Sequence, residues 1–350
     1  MRSASKSLCE QSSVRRLCYF TCGNAFGMAS TNSVRSLLVW HVHGSWTESL
    51  VAGRHRYVIP VNEAADSRAR GLSGRQWPRA QEVPVDQLRE TDVDLVILQR
   101  PEELELAEQW LGRRPGVDVP AVYVEHNAPR PSPVDSVHPL ASRTDIPLVH
   151  VTDFNRLMWD NGAAPTRVIS HGIADPGHFY TGDIAAAATM INEPLRRWRT
   201  VGTDLLIELG ASVPIDVWGI DTLELNRRVR QGVRAKGDVP FRRLMRQVAR
   251  RRVYVHTARW TSLGLSLIEA MYLGMPVVAV ASTMAPSVVP DEAGVVSADV
   301  PTLARALQGF VTDHATATLV GKAAREYAIA HFSLDRFLKK WDDLIEERCA

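Results

Sequence analysis

The residues best suited to chemistry lie in one stretch, residues 260–280, which reads WTSLGLSLIEAMYLGMPVVAV. Gly264 stands in a short loop, a helix is predicted over residues 265–273, and Gly274 ends it before a buried-type strand. A glycine loop at a helix N-terminus leaves backbone N–H groups and the positive end of the helix dipole free for an anion. Glu269 lies about one turn into the helix, so a carboxylate stands near the same site.

This pattern has two interpretations. In the first, the N–H groups bind a diphosphate and the Glu269 carboxylate accepts hydrogen bonds from ribose hydroxyls, which are the two contacts that a nucleoside diphosphate needs. In the second, the stretch is an ordinary loop–helix–strand unit, and Glu269 is a solvated acid near the start of the helix. The spacing of the residues fits both interpretations.

Length and composition indicate a globular protein of two domains. At 350 residues the chain exceeds the usual size of a single domain, so we expect two. A hydrophobic share of 45% and a charged share of 23% are those of a soluble globular protein. The net charge is only +2, so no overall basic field indicates a nucleic-acid partner.

The N-terminus differs from the rest of the chain. Residues 1–33 mix basic residues with a short apolar patch, which predicts a poorly ordered leader; a signal peptide is the alternative, and Met28 is an alternative start. No run of 18 apolar residues indicates a membrane-spanning helix. Cysteine usage indicates a reducing compartment, so we expect a cytoplasmic protein, with the inner face of the membrane as a second location. The four cysteines are Cys9, Cys18, Cys22 and Cys349.

Predicted strands and helices alternate along the chain, which indicates parallel sheets with helices on both faces. We therefore predict an α/β fold of two Rossmann-like, doubly wound domains. Residues 174–183 are rich in Pro and Gly, and the domain boundary is placed there, between 34–178 and 179–333. Residues 71–84 are predicted to be an exposed loop and residues 221–231 a helix. The predicted strands are residues 37–42, 57–61, 93–98, 121–125, 147–151, 167–170, 188–191, 215–218, 253–257, 277–280 and 295–297.

The central stretch resembles a known motif. LGLSLIEAM at 263–271, followed by GMPVV at 274–278, resembles the donor-site motif E-G-F-G-x4-E-A-M-A-x-G-x-P-V-V of retaining GT-B glycosyltransferases of family 4. VVPDEAG at 288–294 and TRVISHGIAD at 166–175 resemble two further segments of that family. The resemblance covers most of residues 37–345 and is stronger in the C-terminal half. It implies the GT-B fold, in which two Rossmann-like domains face each other across a cleft.

The resemblance implies a role for each residue of the central motif. Glu269 corresponds to the glutamate that binds the nucleotide ribose, and Gly264 and Leu265 to the loop whose amides meet the diphosphate. Thr261 departs from the pattern, because the family has a first glutamate at this position. A carboxylate that would accept a hydrogen bond from a sugar hydroxyl is replaced by a shorter, neutral hydroxyl. Sugar specificity, or loss of activity, should therefore be sought at Thr261.

The cations that bind the diphosphate in this family have a partial counterpart at 195–202, LRRWRTVG. The family pattern G-R-x4-K-G corresponds to Arg196 for the Arg and to Val201 for the Lys. Arg197 or Arg199 is the candidate for the missing charge, because a guanidinium group binds phosphate bidentately. A solvated basic loop is the alternative interpretation.

Candidate residues of the N-terminal half follow predicted strands. Gly44 and Ser45 lie between the first strand and a helix, an order typical of a ligand loop in α/β units. The resemblance assigns Gly44 to a glycine loop that lets the donor phosphate approach closely. His126 follows another strand, where the family has a histidine near the transferred sugar, so a catalytic role is predicted for it. The alternative is a structural histidine that caps the strand.

The implied function is transfer of a sugar from a nucleotide-diphosphate sugar to a hydroxyl acceptor, with retention of the anomeric configuration. The donor is a substrate, and we expect no cofactor, metal or nucleic-acid partner. A glycan, lipid or small-molecule acceptor would bind the N-terminal domain, and helix 334–350 is expected to pack back on that domain, as in GT-B enzymes. The alternative is a catalytically impaired protein of the same fold that binds a nucleotide sugar or scaffolds a partner.

Four arginines recur on one face of the helix predicted at 240–250, namely Arg242, Arg243, Arg246 and Arg250. A solvated face is one interpretation. A weak peripheral contact with anionic lipid headgroups, or with a polyanionic acceptor, is the other.

Overall fold

The computed structural model describes residues 33–130, 134–229 and 231–350. The predicted leader, residues 1–33, lies outside the described residues except for Ser33. Two parallel sheets organise the chain, one of seven strands and one of six. The predicted α/β fold of two Rossmann-like domains is therefore confirmed. We call the first sheet with its helices the first domain, and the second sheet with its helices the second domain.

The first sheet consists of β1 (Ser36–Val39), β2 (Arg56–Val61), β3 (Ala80–Pro84), β4 (Leu95–Leu98), β5 (Ala121–Glu125), β6 (Leu148–His150) and β7 (Thr166–Val168). Their order is β3-β2-β1-β4-β5-β6-β7, and all adjacent pairs are parallel. The chain moves from β1 to one side and later returns to the other, so the switch point of the sheet lies between β1 and β4. The connecting helices are α1 (Gly44–Val51), α2 (Glu103–Leu111) and α3 (Asp153–Met158).

The second sheet repeats this plan with β8 (Ile184–Met190), β9 (Ile215–Trp218), β10 (Val233–Gly237), β11 (Arg251–His256), β12 (Val277–Val280) and β13 (Gly294–Ser297). The parallel order is β10-β9-β8-β11-β12-β13, so its switch point lies between β8 and β11. The remaining helices are α4 (Trp198–Val201), α5 (Thr203–Gly210), α6 (Leu225–Arg228), α7 (Phe241–Val248), α8 (Leu265–Leu273), α9 (Ala285–Val288), α10 (Val300–Thr312), α11 (His314–His331) and α12 (Leu334–Cys349).

The structure corrects local predictions at the outer edges of both sheets. The predicted loop 71–84 ends in strand β3, whose residues are exposed or half-buried and so lack the apolar run of an inner strand. The predicted helix 221–231 is reduced to the short α6, and β10 follows it without having been predicted. In β10 the buried Val233 and Ala235 alternate with exposed Arg234 and Lys236, a pattern too short to distinguish from a loop.

Helix α12 returns from the second domain to the core of the first. Phe337 and Trp341 are buried there against Trp46 of α1, with ring centroids 6.4 and 5.8 Å from the Trp46 ring. On the polar side of the helix, the Asp342 carboxylate lies 3.0 Å from Arg54 Nε. The apolar face of α12 therefore covers one side of the first sheet.

Helix α8, which carries the central motif, is buried from Leu267 to Leu273. It ends at Gly274, whose φ of +90° is a left-handed C-cap that glycine adopts without strain. Gly321 of α11 packs against this end, because a Cβ atom at Gly321 would lie only 2.0 Å from the Gly274 carbonyl oxygen. This close packing holds α8 with its N-terminus at the carboxyl edge of the second sheet.

We predict that Trp341→Ala lowers the free energy of unfolding by about 3–5 kcal/mol, because it leaves a large cavity in the core of the first domain. Trp341→Phe should cost less, since it keeps a ring and removes an indole N–H that has no partner among the described residues. Urea unfolding measures both variants. Exposed Lys339→Ala is the control and should change stability by under about 1 kcal/mol. Equal stability of all three variants would contradict this role for α12.

Candidate functional site

A cavity of about 750 Å³ lies where the carboxyl ends of the two sheets meet. The first domain contributes residues that follow β1, β2 and β5. The second domain contributes residues that follow β8, β9, β10 and β11, together with the N-terminal part of α8. Loops diverge at these switch points and leave a crevice, so ligands of doubly wound sheets bind at this edge. The cavity is therefore the candidate site.

Glu269 lies in the wall of this cavity and is only 9% exposed. None of the residues that the structure describes forms a hydrogen bond to its carboxylate. Burial, with a smaller effect of the negative charge of Glu48, raises the pKa of Glu269 to about 7. The interpretation of Glu269 as a solvated acid is therefore wrong: it is a buried carboxyl group without a partner, which is typical of a ligand site.

Gly264 and Leu265 also line the cavity, at the N-terminus of α8. No side chain caps this helix, and its first turn has no acidic residue, so its first N–H groups are available to an anion. His256, at the end of β11, lies against the same loop, since a Cβ atom at Gly264 would be 3.0 Å from its Cε1 atom. Burial lowers the pKa of His256 to about 4, so this side chain is neutral beside the loop.

His126 follows β5 and lines the cavity from the first domain. Its Nε2 atom lies 3.0 Å from Oε1 of Gln99, whose own amide donates to the Trp40 carbonyl oxygen at 2.6 Å. Gln99 Oε1 can only accept, so Nε2 carries the proton and Nδ1 is left as an acceptor. Burial, with smaller effects of His43 and His171, holds the pKa of His126 well below its usual range. His126 is therefore a neutral imidazole with a fixed tautomer.

Ser45, the second residue of α1, lines the cavity, whereas Gly44, which begins α1, is not among the lining residues. The N-terminus of α1 has no side-chain cap and no acid in its first turn. The Arg75 guanidinium lies close to it, since a Cβ atom at Gly44 would be 3.6 Å from Nη2 of Arg75. Arg75 also lines the cavity, and it pairs with exposed Glu48 at 3.2 Å.

The three arginines predicted to bind phosphate have different surroundings. Arg197 lines the cavity, and no carboxylate among the described residues pairs with it. Arg196, the counterpart of the family's arginine, instead pairs with Glu193 and lines a separate surface pocket. Arg199 is exposed and pairs with Asp204 at 3.0 Å. The structure thus brings only Arg197 of this cluster to the cavity.

Sequence reasoning missed Arg130 and Trp260, which also line the cavity. The Trp260 indole N–H donates to the Pro129 carbonyl oxygen at 3.0 Å, across from the second domain to the first. Its ring also meets Phe154 edge-on, with centroids 5.5 Å apart. The one signal in the sequence was that Arg130 follows the strand that leads to His126.

Thr261, the position of the missing glutamate, also faces the cavity. Its hydroxyl oxygen is buried and has no hydrogen-bond partner among the described residues. The family's lysine position is Val201, which is 4% exposed and offers no charge. Both departures from the family pattern thus change the polar groups available to a ligand.

Three further predictions concern metals, membranes and the arginine face of α7. Within the described ranges, no group of His, Cys, Asp or Glu side chains is arranged to hold a metal ion. No helix of that part of the chain is long and apolar enough to cross a bilayer. All four arginines are exposed, but Arg250 lies beyond the end of α7 and so is not on the predicted helix face. Arg250 pairs with Asp183 at 2.6 Å, and Arg246 lies 4.5 Å from the ring centroid of Phe179.

Comparison with known proteins agrees with this geometry. Residues 220–327, which include α8 and its loop, match the family model described as glycosyl transferases group 1. HepE from Anabaena, solved with UDP, has a TM-score of 0.68 at 16% identity over 90% of this chain and 100% of its own. The chain has the GT-B fold. Sucrose-phosphate synthase from Thermosynechococcus elongatus is also similar, with a TM-score of 0.68 at 16% identity over 89% of this chain and 98% of its own.

TarM from S. aureus, solved with fondaparinux, alpha-GlcNAc-glycerol and UDP, has a TM-score of 0.59 at 20% identity over 72% of this chain. This chain spans about half the length of the TarM chains, covering 55% and 54% of the two structures. No curated protein sequence matches the chain. The family match supports a glycosyltransferase as the general class. The solved neighbours, at 20% identity or less, establish the GT-B fold alone.

Glu269 should give the protein a measurable dependence of stability on pH. The pKa of Glu269 is about 7 in the folded protein and 4.5 in the unfolded chain. The contribution of Glu269 to the free energy of unfolding is therefore fully present below pH 4.5 and is lost as the pH rises through 7. The loss is on the order of 3 kcal/mol. Glu269→Gln should remove this dependence and make the variant more stable than the parent protein at pH 8. Parallel pH profiles of the unfolding free energy would contradict the buried carboxyl.

Proposed function

We propose that the protein is a retaining glycosyltransferase of family 4 that moves a sugar from a nucleotide-diphosphate sugar to a hydroxyl acceptor. The observation that carries this proposal is the buried, unpartnered Glu269 beside the free N-terminus of α8. A carboxylate that accepts from a ribose diol and N–H groups that bind a diphosphate are the two halves of a nucleotide site. The family match over residues 220–327 covers this part of the chain and supports the same reading.

Each cavity residue then has a part in holding the donor. The amides near Gly264 and Leu265, the α8 dipole and the Arg197 guanidinium bind the diphosphate, while the ionised Glu269 carboxylate accepts from the ribose hydroxyls. Positive charge grows on the sugar ring as the bond to the diphosphate breaks. Stabilising the departing diphosphate with prearranged donors therefore lowers the barrier.

His126 contacts the transferred sugar in this arrangement. Its Nδ1 atom is held as a hydrogen-bond acceptor, because Nε2–H donates to Gln99. A neutral imidazole orients a sugar hydroxyl without placing a positive charge beside the ring that becomes positive. In a retaining reaction the acceptor attacks from the face that the diphosphate leaves, so the acceptor's hydroxyl proton passes to a diphosphate oxygen. The C–O bond to the acceptor forms as that to the diphosphate breaks.

The acceptor is proposed to be a glycan, a lipid or a small molecule bound on the first domain, near Ser45 and Arg75. We propose no cofactor and no metal, because Arg197 and the amides at the N-terminus of α8 supply the positive charge for the departing diphosphate. The proposed location remains the cytoplasm, on the basis of cysteine usage. Weak contact with the inner face of the membrane remains part of the proposal through the exposed Arg242 and Arg243.

A second candidate function is binding of a nucleotide sugar without transfer. The specific observation in its favour is the pair of changes at Thr261 and Val201, which remove a carboxylate and a cation from the family pattern. A protein of this kind would hold the donor through Glu269 and Arg197 but would not release the nucleotide.

The test is a panel of UDP, GDP and ADP with their sugars. We predict that one nucleoside diphosphate of the panel binds and that Glu269→Gln weakens its binding about 10- to 100-fold, because hydrogen bonds to a charged group are lost. Glu326→Ala, at an exposed acid of α11, is the control and should bind as the parent protein does. Calorimetry measures binding, and release of nucleoside diphosphate from the sugar measures turnover. Binding without turnover would favour the second function, whereas no binding by any member of the panel would contradict both.

A further inference from the structure

We propose that Arg130 of the first domain and Arg197 of the second domain form a clamp for the diphosphate, with one cation from each side of the cavity. Both side chains line the same cavity, and neither has a carboxylate partner among the residues that the structure describes. The inference rests on the proposed function, because it names the group of the donor that the two arginines hold. It assigns the second cation to a domain other than the one predicted from the sequence.

Arg197 is the better enclosed member of the pair. It stands immediately before α4, is half-buried, and faces the cavity while its neighbours Arg196 and Arg199 pair with surface acids. Burial lowers the pKa of Arg197, and the positive charge of Arg130 lowers it further, so the two guanidinium groups are close enough to repel each other. Two nearby cations without a counterion create a site for a doubly charged anion.

Arg130 is brought to this position by a contact between the domains. The Trp260 indole N–H donates to the carbonyl oxygen of Pro129, the residue before Arg130. Trp260 belongs to the loop that leads to α8, so the contact ties the Arg130 backbone to the loop that offers amides to the diphosphate. Trp260 is therefore a positioning residue, and Arg130 is the group that touches the ligand.

The second cation is needed because Val201 offers none. Val201 is buried, and its carbonyl oxygen accepts from the Thr257 hydroxyl at 2.8 Å, so this position serves packing at the end of β11.

A clamp with one arginine on each domain has a further consequence. The diphosphate bridges the two domains, so binding of the donor favours the arrangement in which the two arginines lie close together. The released nucleotide leaves only when the arginines separate.

The experiment measures affinities of the full chain for the preferred diphosphate among UDP, GDP and ADP, and for the matching nucleoside. Arg130→Ala and Arg197→Ala should each weaken binding of the diphosphate about 10- to 100-fold, and each should change the affinity for the nucleoside by less than about twofold. The loss of diphosphate affinity in the double variant should be smaller than the product of the fold-losses in the two single variants, because both arginines act on one ligand. Arg199→Ala, at an exposed arginine two positions further along the chain, is the matched control and should leave both affinities unchanged.

Two further variants separate ligand binding from a structural role. Arg130→Ala should leave the melting temperature of the ligand-free protein unchanged or raise it, since it removes repulsion with Arg197. Trp260→Phe keeps a ring beside Phe154 but removes the hydrogen bond to Pro129. It should therefore weaken binding of the diphosphate when Arg130 is present, and it should have no added effect on binding when combined with Arg130→Ala.

The outcomes distinguish this inference from the proposed function. If Arg197→Ala weakens binding of the diphosphate and Arg130→Ala does not, the clamp is overturned, whereas the proposed nucleotide site is not contradicted. If Arg130→Ala weakens the diphosphate and the nucleoside equally, Arg130 does not act on phosphate and the inference is likewise overturned. If the parent protein binds none of the diphosphates, the inference falls together with the proposed function.

Discussion

The return of α12 to the first sheet is the contact on which the arrangement of the two domains depends. Its buried Phe337 and Trp341 complete a core that begins with β1, so the first domain is not closed until the end of the chain is in place. The outgoing and returning segments run side by side, since the Ile173 N–H donates to the Phe332 carbonyl oxygen at 3.0 Å. These two adjacent crossings connect the domains, and the cavity lies between the domains.

The electrostatics of that cavity are unusual for a folded interior. Arg130 and Arg197 have no counterion within the described residues, and Glu269 has no donor. Arg197 and Glu269 would be more stable elsewhere, because an unpaired half-buried or buried charge costs free energy that a surface position does not, whereas Arg130 is exposed. Such a cost is retained where a ligand later supplies the missing partner, and here the charges match a diphosphate and a ribose.

The site is assembled from loops that are far apart in the chain. Ser45, His126 and Arg130 come from the first domain, whereas Arg197 and Glu269 come from the second. Within each domain the parallel strands bring the loop residues to one edge, and the crossing of α12 sets the two edges face to face. A cation from either domain can therefore serve an anion in the cavity, since only the position of the charge matters, even though buried Val201 offers no charge.

The sequence by itself determined the fold class, most inner strands and the central motif. Their apolar runs, the Gly264 loop and the Gly274 cap are local signals that depend on neighbouring residues alone. The edge strands β3 and β10 were missed because their exposed residues carry no such signal. Only the tertiary structure decided that Glu269 is buried, that Arg197 rather than Arg196 faces the cavity, and that Arg130 lies near Arg197. Burial and charge proximity arise between segments distant in the chain, so no local pattern could specify them.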